Sequence, residues 1–272
     1  MADQAMSAPV PADPKALVRP PRPRAPGDAR VLAARVAAVV ILAAIYETLS
    51  RSGLFYQGII PSLVDIAAEL VELLTSTEFY GHLAVTVFEV VCGVLLGGLV
   101  GLTLGINLAA SRRAGDVLHP IFLWIAPTPK IVFLLIIMLL FGLDIEAKVA
   151  KASVSAFFPV FVASFAGARQ VRPVLLNVMA SLNATRAQTV RHVYLPAMTP
   201  VVIGAVRLAL GVAIVGTLLA EIKMANAGLG FLIIQSYNFF RIPEMYAVLA
   251  ITFTLALAAN AGLDRLAERL RR

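Results

Sequence analysis

The chain has 272 residues, of which 60% are hydrophobic and 14% charged, and its mean hydropathy is +0.86. These values exclude an ordinary soluble domain and predict an all-α, polytopic membrane protein built as one transmembrane helical bundle. The net charge of +7 does not indicate nucleic-acid binding, because the basic residues cluster at the ends of apolar segments without interleaved aromatic residues. A single cysteine, Cys92, excludes an intramolecular disulfide.

The first 30 residues differ in composition from the rest of the chain. They contain seven prolines and five basic residues and show almost no apolar periodicity, so we expect residues 1–30 to form a disordered tail. Residues 31–49 are apolar and just long enough to cross a bilayer core of about 30 Å. We therefore expect residues 31–272 to form one membrane domain.

An amphipathic segment follows the first span. It begins at Pro61 and Ser62, and its apolar and acidic residues fall on opposite sides of a helix. This pattern predicts a surface helix outside the membrane. The apolar side comprises Ile66, Leu70, Leu73 and Leu74, and the acidic side Asp65, Glu69 and Glu72.

Further apolar segments complete a prediction of six spans, over residues 83–108, 120–141, 147–168, 198–222 and 244–262. In the second span Gly93, Gly97, Gly101 and Gly105 recur at every fourth position, which predicts close approach of a neighbouring helix. Pro127 and Pro129 predict a kink or break near the start of the third span. Thr254, Ala258 and Gly262 predict a second packing stripe in the sixth span.

Ionisable residues within these segments are candidates for a translocation path, because a charge in a membrane requires a partner, water or a functional role. Glu89 lies on the glycine stripe and is expected to face the bundle interior, for an interhelical hydrogen bond or near the path. Lys130 either reaches the interface or presents its cation to the path. Arg207 either fixes the inner end of the fifth span or lines a gate. Glu221 closes that span on the outside.

The segment between the fourth and fifth spans is too polar to lie in lipid. Its first part predicts a short helix with one apolar stripe, followed by Asn183, a residue type that tolerates the left-handed conformation. Thr185 and Gln188 predict a capping box that opens a second short helix, which we expect to end near Pro196 and Pro200. The stripe comprises Leu175, Val178, Met179 and Leu182. The segment is thus predicted to form a helix–turn–helix at the membrane surface.

This helix–turn–helix resembles the cytoplasmic EAA loop of the permease subunits of bacterial ABC importers. That loop reads EAA, three residues, Gly, about nine residues, and an apolar–Leu–Pro ending, which corresponds here to residues 180–186 and Val193-Tyr194-Leu195-Pro196. The chain is most similar to the nitrate/sulfonate/taurine branch, which includes permeases for pyrimidine vitamin precursors. Two residues depart from the pattern: Asn177 replaces the family Glu, and Asn183 replaces the family Gly. Further similar pieces lie at residues 127–131, 141–143, 156–159, 220–221 and 228–230, so the resemblance covers residues 60–262.

The resemblance implies an ABC type I importer-like permease in the bacterial inner membrane, working beside a second permease copy. Its coupling loop, residues 169–195, would dock on a cytosolic ATPase dimer that binds the ATP. A periplasmic or lipid-anchored binding protein would deliver a small, anionic solute, whereas import of a vitamin or pyrimidine precursor and ion-coupled secondary transport are the alternatives. The coupling residues implied are Leu175, Val178, Met179, Leu182, Asn183, Ala184, Thr185 and Arg186.

The distribution of basic residues gives a membrane orientation without reference to the resemblance. With both termini in the cytoplasm, fifteen of the 23 Lys and Arg residues lie inside and three lie outside, namely Arg51, Lys223 and Arg241; the other five lie within or beside spans and are not counted. This asymmetry satisfies the positive-inside rule. It also places the helix–turn–helix in the cytoplasm.

The sequence contains no recognisable catalytic or metal site. It lacks the Gly-x-x-x-x-Gly-Lys-Ser/Thr loop that cradles phosphates, so we expect a partner to bind and hydrolyse ATP. His82, His119 and His192 are far apart and lack the spacing of metal ligands. No Gly-x-Ser-x-Gly-like turn indicates an intramembrane serine protease. We therefore expect a non-catalytic subunit without a cofactor.

Overall fold

The computed structural model describes residues 28–53, 58–224 and 226–271, and in these ranges the secondary structure is helical throughout, without a strand. The tail predicted over residues 1–30 lies outside the described residues, except that the first helix already includes Asp28. The helices are α1 (Asp28–Arg51), α2 (Leu63–Thr75), α3 (Thr77–Ala110), α4 (Arg112–Ile125), α5 (Val132–Phe141), α6 (Ile145–Arg169), α7 (Pro173–Ser181), α8 (Arg186–Thr189), α9 (Leu195–Met224), α10 (Leu229–Asn238) and α11 (Ile242–Arg271). A π-helical segment, Val190–Tyr194, joins α8 to α9.

Helix α1 belongs to a unit of its own that ends at Ser52. Its apolar side chains are largely exposed, as expected for a helix surrounded by lipid. At its end Arg51 pairs with Glu47 one turn earlier, with 2.6 Å between Nη2 and Oε1. The span predicted over residues 31–49 is confirmed as a helix.

Five helices within the described residues are long and apolar enough to cross a membrane. The third predicted span is not among them, because it is divided into α4 and α5 by a turn that contains Pro127 and Pro129. Proline lacks the N–H that an α-helix requires and its ring blocks the preceding turn, so the predicted break is confirmed. Helix α5 has ten residues and is only about 15 Å long.

Helices α3 and α6 form the most extensive contact of the described bundle, and the predicted glycine stripe lies between them. A Cβ added at Gly101 would lie 2.7 Å from the carbonyl oxygen of Phe157, and one at Gly105 would lie 2.8 Å from Cβ of Ser164. The backbones can approach this closely only because the glycines have no side chains. The prediction of close packing on this stripe is confirmed.

Helix α6 packs on its other side against α9 through small residues, chiefly Ala156, Val160, Ala205, Ala209 and Ala213. Alanine permits a short distance between helix axes at little cost in side-chain entropy. Helices α3, α6 and α9 therefore form the centre of the bundle.

A second apolar cluster joins α2 and α10 to the beginnings of α3 and α11. It includes Leu73, Phe79, Leu229, Leu232 and Val248. Helix α2 begins with a capping box between Ser62 and Asp65, so the predicted amphipathic helix is confirmed, although its Leu74 is exposed. We call this part of the bundle the outer end, because the distribution of basic residues assigns it to the outside.

One expectation about a helix end is wrong. The helix that begins at Arg186 does not end at Pro196 or Pro200 but continues to Met224. Pro196 lies in the first turn of α9, directly after the π-helical segment, in which the carbonyl of Val190 accepts from the N–H five residues later. The stripe predicted in the sixth span, Thr254, Ala258 and Gly262, is exposed within the described chain. Among the described residues, nothing lies within 4 Å of a Cβ added at Gly262.

Candidate functional site

The turn between α7 and α8, which we call the elbow (residues 182–185), is built by local backbone chemistry. The N–H of Ala184 donates to the carbonyl of Met179 at 3.0 Å, and the N–H of Asn183 donates to the carbonyl of Ala180 at 3.0 Å. These two bonds form a Schellman motif, whose central residue adopts the left-handed conformation. Asn183 has φ 51°, as the sequence predicted.

The predicted capping box at the start of α8 is also present. The N–H of Gln188 donates to Oγ1 of Thr185 at 3.3 Å, and the N–H of Thr185 donates to Oε1 of Gln188 at 2.7 Å. Together the two motifs satisfy backbone groups that a free helix end would leave without partners. The elbow is therefore a defined turn between two helices.

The predicted apolar stripe of α7 divides between two environments. Leu175 and Val178 are exposed, and Leu182 is 71% exposed at the elbow itself. Met179 instead turns inward and packs, with Leu176, against a cluster at the base of the elbow that contains Ile106, Ala168, Val171, Val193, Tyr194 and Met198. One side of α7 thus fixes it to the bundle while the other presents apolar surface.

The remaining predicted coupling residues lie on or beside the elbow. Arg186 and Thr185 are exposed, and Ala184 is half-buried. An exposed apolar group next to a basic side chain has the composition of a protein contact surface. The structure thus brings the eight predicted coupling residues together, with Met179 in a supporting position.

Glu89 faces the interior of the bundle, as expected from its place on the glycine stripe. It is fully buried, and its Oε1 lies 2.6 Å from Nζ of Lys148 on α6. A buried carboxylate is stable only when its charge is compensated, which Lys148 provides. Glu89 thus makes an interhelical ion pair with α6, and a place near the translocation path stays a prediction.

Glu221, on α9, is also fully buried and lies next to Glu89. It accepts a hydrogen bond from the hydroxyl of Thr86 at 2.7 Å and another from the N–H of Gly230 at 2.7 Å. Glu221, which was expected to close the fifth span on the outside, is therefore enclosed by α3 and α10 and does not face water.

Lys130 and Arg207 contact groups other than these two carboxylates. Nζ of Lys130 donates to the carbonyl of Ala126 and lies 5.1 Å from the ring centroid of Phe158. Arg207 pairs with Asp264 at 2.8 Å, which links α9 to α11. The four candidates for a translocation path are therefore not brought to one place, and the contact of Arg207 matches a role in tying down the inner end of its helix.

The residues that contact the buried carboxylates of Glu89 and Glu221 were not predicted from the sequence. Lys148 and Lys151 were not among the predicted site residues, yet both are buried, and Nζ of Lys151 lies 3.2 Å from Oγ of Ser155. Their presence beside an apolar segment was the available signal, because buried charges in membranes occur with partners. Nothing in the sequence identified Thr86 as the partner of Glu221.

The outer end carries a polar pocket of about 420 Å³. Its lining includes Glu69, Glu72, Glu78, Arg241 and Glu244. Burial raises the pKa of Glu69 from its ordinary value, and the charges of Glu72 and Glu244 raise it further, whereas Arg241 acts in the opposite direction. The pocket is therefore acidic.

Residues 93–272 match the family described as binding-protein-dependent transport system inner membrane component. The chain belongs to this family. It is 30% identical over 229 residues to the putative aliphatic sulfonates transport permease protein SsuC of Bacillus subtilis (strain 168), covering 84% of this chain and 83% of that protein. It is 27% identical over 214 residues to the taurine transport system permease protein TauC of Escherichia coli (strain K12), covering 79% and 77%.

A solved structure of the MetNI methionine ABC transporter, in an inward-facing conformation, contains a chain of similar fold. The TM-score is 0.55 with 20% identity, over 77% of this chain and 98% of that chain. At this identity the likeness shows the fold alone. The protein is thus a multi-pass inner-membrane permease of an ABC importer, similar to the sulfonate and taurine permeases, with a type I importer-like fold.

Proposed function

We propose that the chain forms the translocation path for a small sulfonate-like anion and that a partner ATPase drives transport through the elbow. Similarity to two permeases named for aliphatic sulfonates and taurine supports the solute class. A second copy of the permease would complete the path, and a binding protein would deliver the solute to the outer end. Two packings of the helices, with populations biased by ATP, are sufficient for alternating access.

The elbow is the observation that carries this proposal. It is held rigidly at its base by Met179 and the cluster around Tyr194, while Leu175, Val178 and Leu182 are exposed. Exposed apolar side chains on a rigid turn are typical of a surface that fits into a groove of another protein. A displacement of such a turn moves the helices attached to it, because the turn itself deforms little.

A pyrimidine precursor is the second candidate solute. The formylaminopyrimidine transport permease protein ThiX of Halalkalibacterium halodurans is 25% identical over 208 residues, covering 76% of this chain and 83% of that protein. The same coupling mechanism would serve this solute. Comparison of taurine with formylaminopyrimidine in an uptake assay separates the two candidates.

The test replaces Ala184 by Glu, which places a charged side chain at the half-buried elbow position. We expect Ala184→Glu to abolish association with the ATPase encoded by the native host and to abolish ATP-dependent taurine uptake into vesicles supplied with the binding protein. Ala68→Glu on α2 is the matched control for ATPase association, because Ala68 is exposed at the outer end, away from the elbow. Normal ATPase association with Ala184→Glu would contradict the docking assignment, and uptake of formylaminopyrimidine but not taurine would favour the second solute.

A further inference from the structure

The N-terminus of α10 is capped by side chains from two other helices. The N–H of Gly228 donates to Nδ1 of His82 at 3.1 Å, and the N–H of Leu229 donates to Oγ1 of Thr86 at 2.8 Å. The N–H of Gly230 donates to Oε2 of Glu221 at 2.7 Å. Three consecutive amides are therefore held from α3 and α9, and the residue at the cap position, Gly228, has no side chain to do this locally.

These contacts lie in the interior of the protein. Thr86, Glu221 and Leu229 are almost completely buried, and unpaired N–H groups in such surroundings are costly. A carboxylate is also the favoured partner at the positive end of a helix. Loss of the Thr86 hydroxyl or of the Glu221 carboxylate would therefore leave a buried N–H group at the start of α10 without a hydrogen-bond acceptor.

Two glycines permit the approach of Glu221. Gly228 has φ 114°, a conformation that favours glycine, and a Cβ there would collide with the Glu221 carboxylate. A Cβ at Gly230 would lie 2.7 Å from Cβ of Glu221 and 2.7 Å from the carbonyl oxygen of Leu218. The Gly228-Leu229-Gly230 sequence is thus fitted to this carboxylate.

Glu221 stands near the end of a long continuous helix. The helix runs from Arg186 to Met224 over 39 residues, which corresponds to about 58 Å. Its first residue follows the cap residue of the elbow, Thr185. The elbow and the hydrogen bond between Glu221 and α10 therefore lie at opposite ends of one continuous helix.

We propose that Glu221 and Thr86 are positioning residues that make α10 move together with α9, so that displacement of the elbow reaches the outer end. This inference rests on the proposed function, in which the ATPase displaces the elbow. Helix α10 also packs with α2 and α11 in an apolar cluster that includes Leu232 and Val248. Apolar contacts are not directional and allow sliding, whereas the three hydrogen bonds to α3 and α9 fix direction and distance.

The experiment measures taurine transported per ATP hydrolysed by the assembled permease–ATPase complex in proteoliposomes with the binding protein. Thr86→Val keeps the shape but removes the hydrogen bond that the hydroxyl donates to Glu221 and the one that it accepts from the N–H of Leu229, and Thr86→Ser retains them. We expect ATP hydrolysis by Thr86→Val to stay within about twofold of the unmodified complex, while transport per ATP falls at least about tenfold, equivalent to about 1.4 kcal/mol. Thr86→Ser is expected to restore the ratio.

Thr103→Val is the matched control on the same helix and should leave the ratio unchanged, because within the described part of the chain the hydroxyl of Thr103 bonds to backbone carbonyls of its own helix alone. An unchanged ratio in Thr86→Val, or a parallel loss of hydrolysis and transport, would overturn the proposal. If Thr86→Val does not assemble, Glu221→Gln is measured in the same way with the same two outcomes. Failure of the unmodified complex to couple transport to ATP would instead refute the proposed function.

Discussion

Gly97 and Gly98 are adjacent in α3 but differ completely in what surrounds them. A Cβ added at Gly97 would collide with the backbone carbonyl of Ser153 on α6, whereas among the described residues nothing lies within 4 Å of a Cβ added at Gly98. The same replacement, Gly→Ala, therefore tests the α3–α6 contact at one position and supplies its own control at the next.

The expected magnitude follows from two effects. Replacing glycine inside a helix by alanine favours folding by about 0.5–1 kcal/mol at either position. At Gly97 the added methyl group also causes overpacking, which costs about 1–3 kcal/mol. The upper end of that range applies because the obstructing atoms belong to the backbone of Ser153 and cannot rotate away. Since the helix effect is common to both variants, the difference between them isolates a steric cost of about 3 kcal/mol.

The assay is thermal unfolding of the purified permease in one detergent, followed by loss of the monodisperse size-exclusion peak. A difference of about 3 kcal/mol corresponds to a Tm difference on the order of 6–12 °C for a chain of this size. We expect Gly97→Ala to have the lower Tm and Gly98→Ala to equal or slightly exceed the unmodified protein. Equal Tm values for the two variants would refute backbone contact between α3 and α6 at this level.

Two further predictions concern the buried ion pair and the elbow. Lys148→Met alone should lower stability by about 3–5 kcal/mol because it leaves the Glu89 carboxylate buried without a partner, and adding Glu89→Gln should recover most of the loss in the same unfolding assay. A double variant as unstable as the single one would show that the two side chains do not depend on each other. Asn183→Val should cost roughly 1–2 kcal/mol because the position is left-handed, whereas Asn183→Gly should be neutral or stabilising. Equal Tm values for Val and Gly would contradict this requirement.

Local features of the fold were predictable from the sequence because their causes lie within a few residues. Asn183 and the Thr185–Gln188 pair define the elbow through bonds to residues three to five positions away, so the pattern contains all the participants. The glycine stripe was equally informative, because it needs a neighbour but not a particular one. The break at Pro127 and Pro129 follows from the covalent structure of proline.

Features that depend on distant segments were not predictable in the same way. Lys148 contacts Glu89, and Thr86 contacts Glu221, only when α3, α6 and α9 are packed together. A single sequence does not indicate which positions of distant helices come into contact. The Thr254, Ala258 and Gly262 stripe has the spacing of a packing surface but faces no neighbour in the described chain. Pro196 was taken as a helix end because a π-helical turn, which accommodates it, has no signature in the sequence.

The π-helical segment Val190–Tyr194 also sets the angular relation between the elbow and the rest of its helix. In this segment the N–H of Leu195 bonds to the carbonyl of Val190, five residues earlier, so one residue more than an α-helical turn needs is accommodated. Each residue of an α-helix turns the chain by about 100°. Removal of one residue here would restore regular winding and point the docking surface in another direction without shortening the helix by more than about 1.5 Å. Under the proposed function, the direction in which the elbow faces the ATPase is thus set by a single surplus residue in this segment.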